Sequence, residues 1–353
     1  MNWFQMSLLR PSSPYPSLPS TPALFGSRWA ALLGAAVLLL AGCSRQEEPA
    51  VADATPAAAS TAAAVSGPAT QPGEQAAGHL GAAPASHPVA ATPASAPAAP
   101  TATLDAFCRE SVRRLPNLTP ALCQQAQLLD GGGRSVQGRA LWQRDVIAPH
   151  VQRRVLVVGG IHGDELSSSS LVFHWINWAT ETPSNVHWRF VPLMNPDGAF
   201  RERPTRMNAR GVDLNRNFPT PGWDKEAPDY WQRRTGKDPR RYPGPQPLSE
   251  PESQWLMKEM ERFKPDLIVS VHAPYGVLDF DGPSVPPERL GRLYLDRVGI
   301  FPGSLGNWGG VHQNVPVVTI ELHNAFRTPL DAEMRQMWLD LLRWIDEKLE
   351  PPK

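Results

Sequence analysis

Arg154-Val-Leu-Val-Val-Gly-Gly-Ile-His162-Gly-Asp-Glu165 runs from a stretch of apolar residues into an imidazole and a carboxylate three positions apart. A continuous apolar run of this length is what a strand covered on both faces requires. The residues from 165 to 180 then carry a helical pattern. Further strands are expected over 187–194, 267–271 and 315–322, with a helix over 251–263 whose start, Ser249 followed by Glu252, has the spacing of a capping box. The stretch 331–349 places Met334, Trp338, Leu341, Leu342 and Ile345 at helical spacing, the mark of a core-facing helix. Together these elements predict an α/β domain with a mixed, mostly parallel twisted sheet covered by helices on both faces.

Moving towards the N-terminus, residues 104–128 read as a short helical lead-in to a domain spanning 129–353. Residues 44–103 are almost wholly Ala, Pro, Ser, Thr and Gly, which cannot bury a core and predict a disordered linker. Before it, Arg28 precedes an apolar run of about 14 residues, shorter than the roughly 20 needed to span a bilayer. A charged start, a short apolar centre and small residues at the end predict an export signal over 1–43. The ending Leu40-Ala41-Gly42-Cys43 resembles the lipobox of bacterial lipoproteins, which implies a membrane anchor on lipidated Cys43 and an exported domain facing the periplasm, with Ser44 suggesting the outer membrane. The long Pro-rich stretch before Arg28 also permits a true start downstream of Met1. Export leaves Cys108 and Cys123 as a pair that can form a disulfide or remain as two buried thiols. Zero net charge removes the electrostatic footprint of a nucleic-acid binder, and no protein partner is expected.

His162 and Glu165 can converge on one cation, and zinc accepts such nitrogen and oxygen ligands, with a third protein ligand and one open position in catalytic sites. In isolation the pair is weak, because a surface histidine beside a helix-start carboxylate has the same spacing. It is followed by Asn195-Pro-Asp-Gly198, by Thr205-Arg206, by Gly211-Val-Asp-Leu-Asn215-Arg216-Asn-Phe218, by Val271-His272-Ala-Pro274 and by Thr319-Ile-Glu321-Leu322. In this order the motifs resemble the zinc carboxypeptidase family over about 220 residues. The resemblance implies one Zn2+ per chain held by His162, Glu165 and His272, with Glu321 as general base. It also implies that Arg206 stabilises the oxyanion and that Asn215 and Arg216 hold the substrate's free carboxylate. His312 and His323 match no ligand position, and no G-x-S-x-G elbow supports serine catalysis.

Within the family, the stretch from Thr205 to Pro219, Ser249-Glu-Pro-Glu252 and His272-Ala-Pro274 resemble the murein tripeptide amidase branch. That implies hydrolysis of the amide between γ-D-glutamyl and meso-diaminopimelate in murein peptides. Asp279 and Asp281 are candidates for the amino end of diaminopimelate, although Phe-Asp-Gly-Pro is equally ordinary turn chemistry. No tyrosine before Glu321 aligns with the mobile tyrosine of digestive carboxypeptidases. The segment 229–247 is long and basic, and reads as a solvated loop or as a guide for acidic peptides. Alternatives are a general carboxypeptidase, an acyl-amino-acid deacylase of the aspartoacylase type, and a noncatalytic murein-binding lipoprotein; the last has no need of a general base.

Overall fold

The computed structural model describes residues 103–182 and 184–349. The expected signal with Cys43, and the expected linker up to residue 102, lie outside the described residues. No helix among the described residues is long and apolar enough to cross a membrane.

Two short helices lead in, α1 (Leu104–Arg114) and α2 (Pro120–Gln125), each started by a threonine. Thr103 and Thr119 accept backbone N–H bonds from Ala106 and Leu122, the ordinary chemistry of an N-cap. Then follow β1 (Leu129–Arg134), β2 (Ala140–Val146), β3 (Arg153–Val158), α3 (Leu166–Glu181), β4 (Val186–Val191) and the short α4 (Pro196–Ala199). The second half comprises α5 (Trp223–Asp229), α6 (Pro251–Phe263), β5 (Leu267–His272), β6 (Leu278–Asp281), the small hairpin β7 (Arg289–Leu290) and β8 (Leu293–Tyr294), β9 (Val317–Glu321) and α7 (Asp331–Glu347). Strands β1 and β2, an edge hairpin rich in glycine, carry no strong apolar pattern and were not expected from the sequence as separate elements.

The seven-stranded sheet has the order β1-β2-β4-β3-β5-β9-β6. Its centre, β4, β3, β5 and β9, is parallel, and β2 and β6 flank it antiparallel. The alternation along β3 explains why its sequence is apolar throughout. Val155 and Val157 join a core with Trp175 of α3, Trp188 of β4 and Trp338 of α7, whereas Leu156 and Val158 join a second core with Leu256, Met260 and Phe263 of α6. A strand with a core on each side has no solvent face to make polar. The parallel strands therefore end along one edge, where ligands bind in open α/β sheets.

The expected capping box at α6 does not form. Its N-cap is Glu250, without a side-chain cap bond, and Pro251 at the first helical position carries no N–H. Ser249 Oγ instead donates to Glu250 Oε1 at 2.8 Å. The buried Glu252 carboxylate accepts from the Val136 N–H at 3.1 Å and from Asn208 Nδ2 at 3.2 Å. The neighbouring Glu250 has taken the Ser249 hydroxyl, and partners far away in the chain have taken the Glu252 carboxylate that the local motif would have used.

Cys108 of α1 and Cys123 of α2 form a disulfide with a Cα–Cα distance of 5.8 Å. Both sulfurs sit in the core that also holds Phe107, Leu118 and Trp142, so the bridge joins the lead-in helices where they pack on the domain. Closing a 15-residue loop restricts the unfolded chain, an effect of about 3 kcal/mol for a loop of this size. Urea unfolding of the protein with Cys108→Ala and Cys123→Ala is expected to show that loss; an unchanged midpoint would show that the bridge is dispensable.

Candidate active site

Gly159 and Gly160 turn the chain out of β3. Gly160 has a φ of +61°, and a side chain there would collide with Ser169 and Leu193. This turn places His162 and Glu165 at the strand edge, just before α3 begins at Leu166. His272 is the last residue of β5 and pairs in register with Glu321, the last of β9. The side chains brought together are all buried. His162 Nδ1 lies 2.7 Å from Glu165 Oε1, His272 Nδ1 lies 3.0 Å from Glu165 Oε2, and the two Nδ1 atoms are 3.2 Å apart.

The outer nitrogens decide what the inner ones present. His162 Nε2 faces Asp213 Oδ1 at 3.2 Å, and His272 Nε2 faces Ser270 Oγ at 2.9 Å. An N–H on each Nε2, assigned from these partners, leaves a lone pair on each Nδ1. Two imidazole lone pairs and a carboxylate then converge on one place among buried side chains. This is the donor set of a catalytic zinc, two nitrogens and one oxygen. His312 and His323 are not in the group.

Asp213 stands within the motif Gly211–Phe218 without a role that the resemblance assigns, and it organises the centre. Besides His162 it accepts from Arg206 Nε at 2.9 Å, and Arg206 Nη1 stands 3.5 Å from Glu165 Oε1. Burial alone would raise the Asp213 carboxyl, but Arg206 and His162 hold it well below the usual carboxylate range. Its position two residues before Asn215 was the available signal. Ser270 was also missed, although the period of two along a strand puts it on the same side as His272.

Glu321 Oε2 accepts the Tyr275 N–H at 3.4 Å. Burial, and then the Glu165 carboxylate, push Glu321 up to about 8. A cation on Glu165 would cancel the second cause. Arg216 is 4% exposed, with its guanidinium 4.3 Å from the centre of the Phe301 ring and Nη1 bonded to Asn215 O at 2.7 Å. Burial lowers Arg216 to about 10 against the pull of Asp213, so it stays charged at neutral pH. Asn215 Oδ1 accepts the Leu305 N–H at 2.8 Å, which fastens the wall segment around Ser304 to the site.

A cavity of about 640 Å³ opens over this centre, lined by His162, His272, Glu321, Arg206, Asn215 and Arg216 among others. Of the site residues predicted from sequence only Glu165 is absent from the lining. The basic segment exposes Arg233, Arg234, Lys237 and Arg240 to solvent, and it also forms a wall of the cavity. Its turns Tyr230–Arg234 and Pro239–Arg241 bring Tyr230, Arg234 and Arg241 to the cavity, with Tyr230 edge-on to Phe301 at 5.7 Å. Tyr275, 59% exposed, stands at the rim, so two tyrosines reach the cavity from positions that no alignment to Glu321 would suggest.

The sequence pattern of the family described as zinc carboxypeptidase matches residues 117–279. Murein peptide amidase A of Escherichia coli K12 is 33% identical over 222 residues, covering 60% of this chain and 88% of that protein. Its namesake from Vibrio campbellii is 34% identical over 190 residues, with 51% and 72% covered. A crystal structure of the murein-tripeptide amidase from Escherichia coli O157 aligns at 30% identity over 62% of this chain and 92% of its own, with a TM-score of 0.46.

Asp213→Asn is expected to weaken zinc binding by about 10- to 100-fold, because the amide no longer holds the His162 ring and its tautomer as firmly. Competition with a zinc chelator measures this, and unchanged affinity would remove Asp213 from the support of the site.

Proposed function

The chain belongs to the zinc carboxypeptidase family, and on that premise we propose that it hydrolyses the amide between γ-D-glutamyl and meso-diaminopimelate in murein peptides. The observation that carries the reading is one cavity that opens over three converging candidate metal donors and is lined by a buried carboxyl and a buried guanidinium. Similarity to murein peptide amidase A supports the substrate class.

His162, Glu165 and His272 would hold the zinc, which supplies a Lewis acid able to lower the pKa of a water from about 15.7 to about 7. Arg216 and Asn215 receive the free carboxylate of the diaminopimelyl residue, the planar guanidinium matching it through paired hydrogen bonds. This seats the scissile amide between Arg206 and Glu321. Glu321 accepts a proton from the attacking water and returns it to the departing amine. Arg206 spends only part of its donor set on Asp213 and Glu165, and its remaining N–H groups meet the negative charge that develops on the carbonyl oxygen.

We place this activity outside the cytoplasm, on a domain anchored through Cys43 and facing the wall from the periplasm. The Leu-Ala-Gly-Cys ending and the Ala/Pro-rich segment after it support that placement. Cys43→Ser is expected to move the protein from the membrane fraction to the soluble one; an unchanged distribution would reject the anchor.

Incubated with L-Ala-γ-D-Glu-meso-diaminopimelate, the zinc-supplemented protein is expected to release diaminopimelate, seen by mass spectrometry, and Glu321→Gln is expected to abolish release. Arg206→Ala should lower kcat by about 100- to 1,000-fold with the metal still bound. Zinc bound without release from this tripeptide would reject the proposed bond.

A further inference from the structure

The cavity does not end at the reacting centre. It continues along one face of β6 and β9, where Val277, Asp279 and Asp281 line it opposite Thr319 and Glu321. Asp279 pairs in register with Thr319 and Asp281 with Val317. At about 3.4 Å per residue, these aspartates lie roughly 7 and 13 Å along the strand from the level of Glu321.

The two carboxyl groups are not equivalent. Asp279 is 7% exposed, and its Oδ1 accepts the Phe280 N–H at 2.9 Å, with the backbone of Val298 and Gly299 and the Arg297 side chain near it. Asp281 has no such bonds, and no cation pairs with it among the described residues. Burial, and then Asp279, push it up to about 6, so at neutral pH it is mostly an ionised carboxylate without a counterion. It is nevertheless held in place from behind. A Cβ on Gly306 would collide with Asp281 Oδ2 and one on Gly310 with Asp281 Cβ, so both glycines leave the room that the carboxylate occupies. Arg297 lines the same end of the cavity. In the same cavity, the buried Nε of Arg216 also lacks a partner.

We propose that this end of the cavity reads the second amino-acid centre of the diaminopimelyl side chain, Asp281 binding its ammonium and Arg297 its carboxylate. The proposal rests on the amidase reading above and adds the residues that select the leaving group. Four carbon–carbon bonds separate the two centres of diaminopimelate, a span of about 5 Å when staggered. With the first carboxylate on Arg216 and the amide beside Glu321, that span brings the distal ammonium near the level of Asp279, where the Asp281 side chain, reaching back along the strand, can meet it. A lysine side chain would satisfy Asp281 and leave Arg297 without its anion. A 2-aminopimelyl side chain would satisfy Arg297 and leave Asp281 as an unpaired, half-buried charge, the more costly mismatch.

Calorimetric titration of the full-length, zinc-supplemented protein with free meso-diaminopimelate, 2-aminopimelate and lysine tests this without turnover. Diaminopimelate is expected to bind about 100-fold more tightly than 2-aminopimelate. Asp281→Asn should reduce that ratio to a few-fold, and Arg297→Gln should erode the preference over lysine. Gly306→Ala, which pushes the Asp281 carboxylate aside, should lower the first ratio as Asp281→Asn does, so the proposal stays testable if one variant does not fold. Equal binding of diaminopimelate and 2-aminopimelate, no binding of diaminopimelate, or an undiminished ratio in the folded variants would overturn it. A retained preference together with failure to cleave the tripeptide would keep the subsite and reject the bond assigned to the reaction.

Discussion

Three lone-pair donors aimed at one buried point repel one another unless a cation stands between them, and the rest of the site is arranged around that constraint. His162 Nδ1, His272 Nδ1 and the Glu165 carboxylate lie within 3.2 Å of their nearest neighbours. Nothing intrinsic to an imidazole makes it turn that nitrogen inward. Asp213 and Ser270 do so by engaging the outer nitrogens, so the two imidazoles are fixed from behind before any ion arrives. Both supports stand on regular or tightly hydrogen-bonded backbone, Ser270 within β5 and Asp213 at the start of the turn Leu214–Arg216.

The same constraint governs the charges. Asp213 serves a histidine on one side and Arg206 on the other, so an ion pair and a ligand support share one carboxylate. Removing ions from water costs several kcal/mol each unless partners compensate. Arg206 has two carboxylates within reach, whereas Arg216 has a ring face, one carbonyl and an unpartnered Nε. That inequality separates their roles. Arg206 is fixed within the reacting centre, and Arg216 retains unused capacity to bind an anion that enters the cavity.

How far the sequence announced this depends on the distance between partners. The strand 154–159 was legible because both its faces are core, and His162, Glu165, His272 and Glu321 were legible because each sits within a short motif at a strand end. The helix 251–263 was placed correctly while its cap was not, because Glu252 found Val136, 116 residues away, in place of its own backbone. The segment 229–247 looked like a solvated loop since its sequence is basic. In the structure Trp231 packs against Tyr242 at 4.9 Å and Arg240 reaches Asp164 at 2.8 Å, contacts that no local pattern encodes. The pairing of Cys108 with Cys123 stayed open for the same reason, since it requires the relative placement of two helices.

Asn217 shows how the chemistry and the selectivity of the cavity are kept apart yet in register. Its Nδ2 reaches Pro243 O, Gln246 O and Ser249 Oγ at 2.9 to 3.0 Å, its Oδ1 accepts the Glu250 N–H, and its carbonyl accepts the Leu248 N–H. One buried amide, adjacent in sequence to Arg216, therefore fastens the end of the wall segment to the turn that carries Arg216. At the other side Arg240 ties that wall to Asp164, which stands in sequence between His162 and Glu165. The reacting groups are thus set by strand ends whose positions the two cores fix, and the selecting walls hang from them at a few side-chain bonds. Changes in the segment 229–247 can alter which side chain is admitted without moving the donors, because none of its residues belongs to the two cores that pack on the sheet.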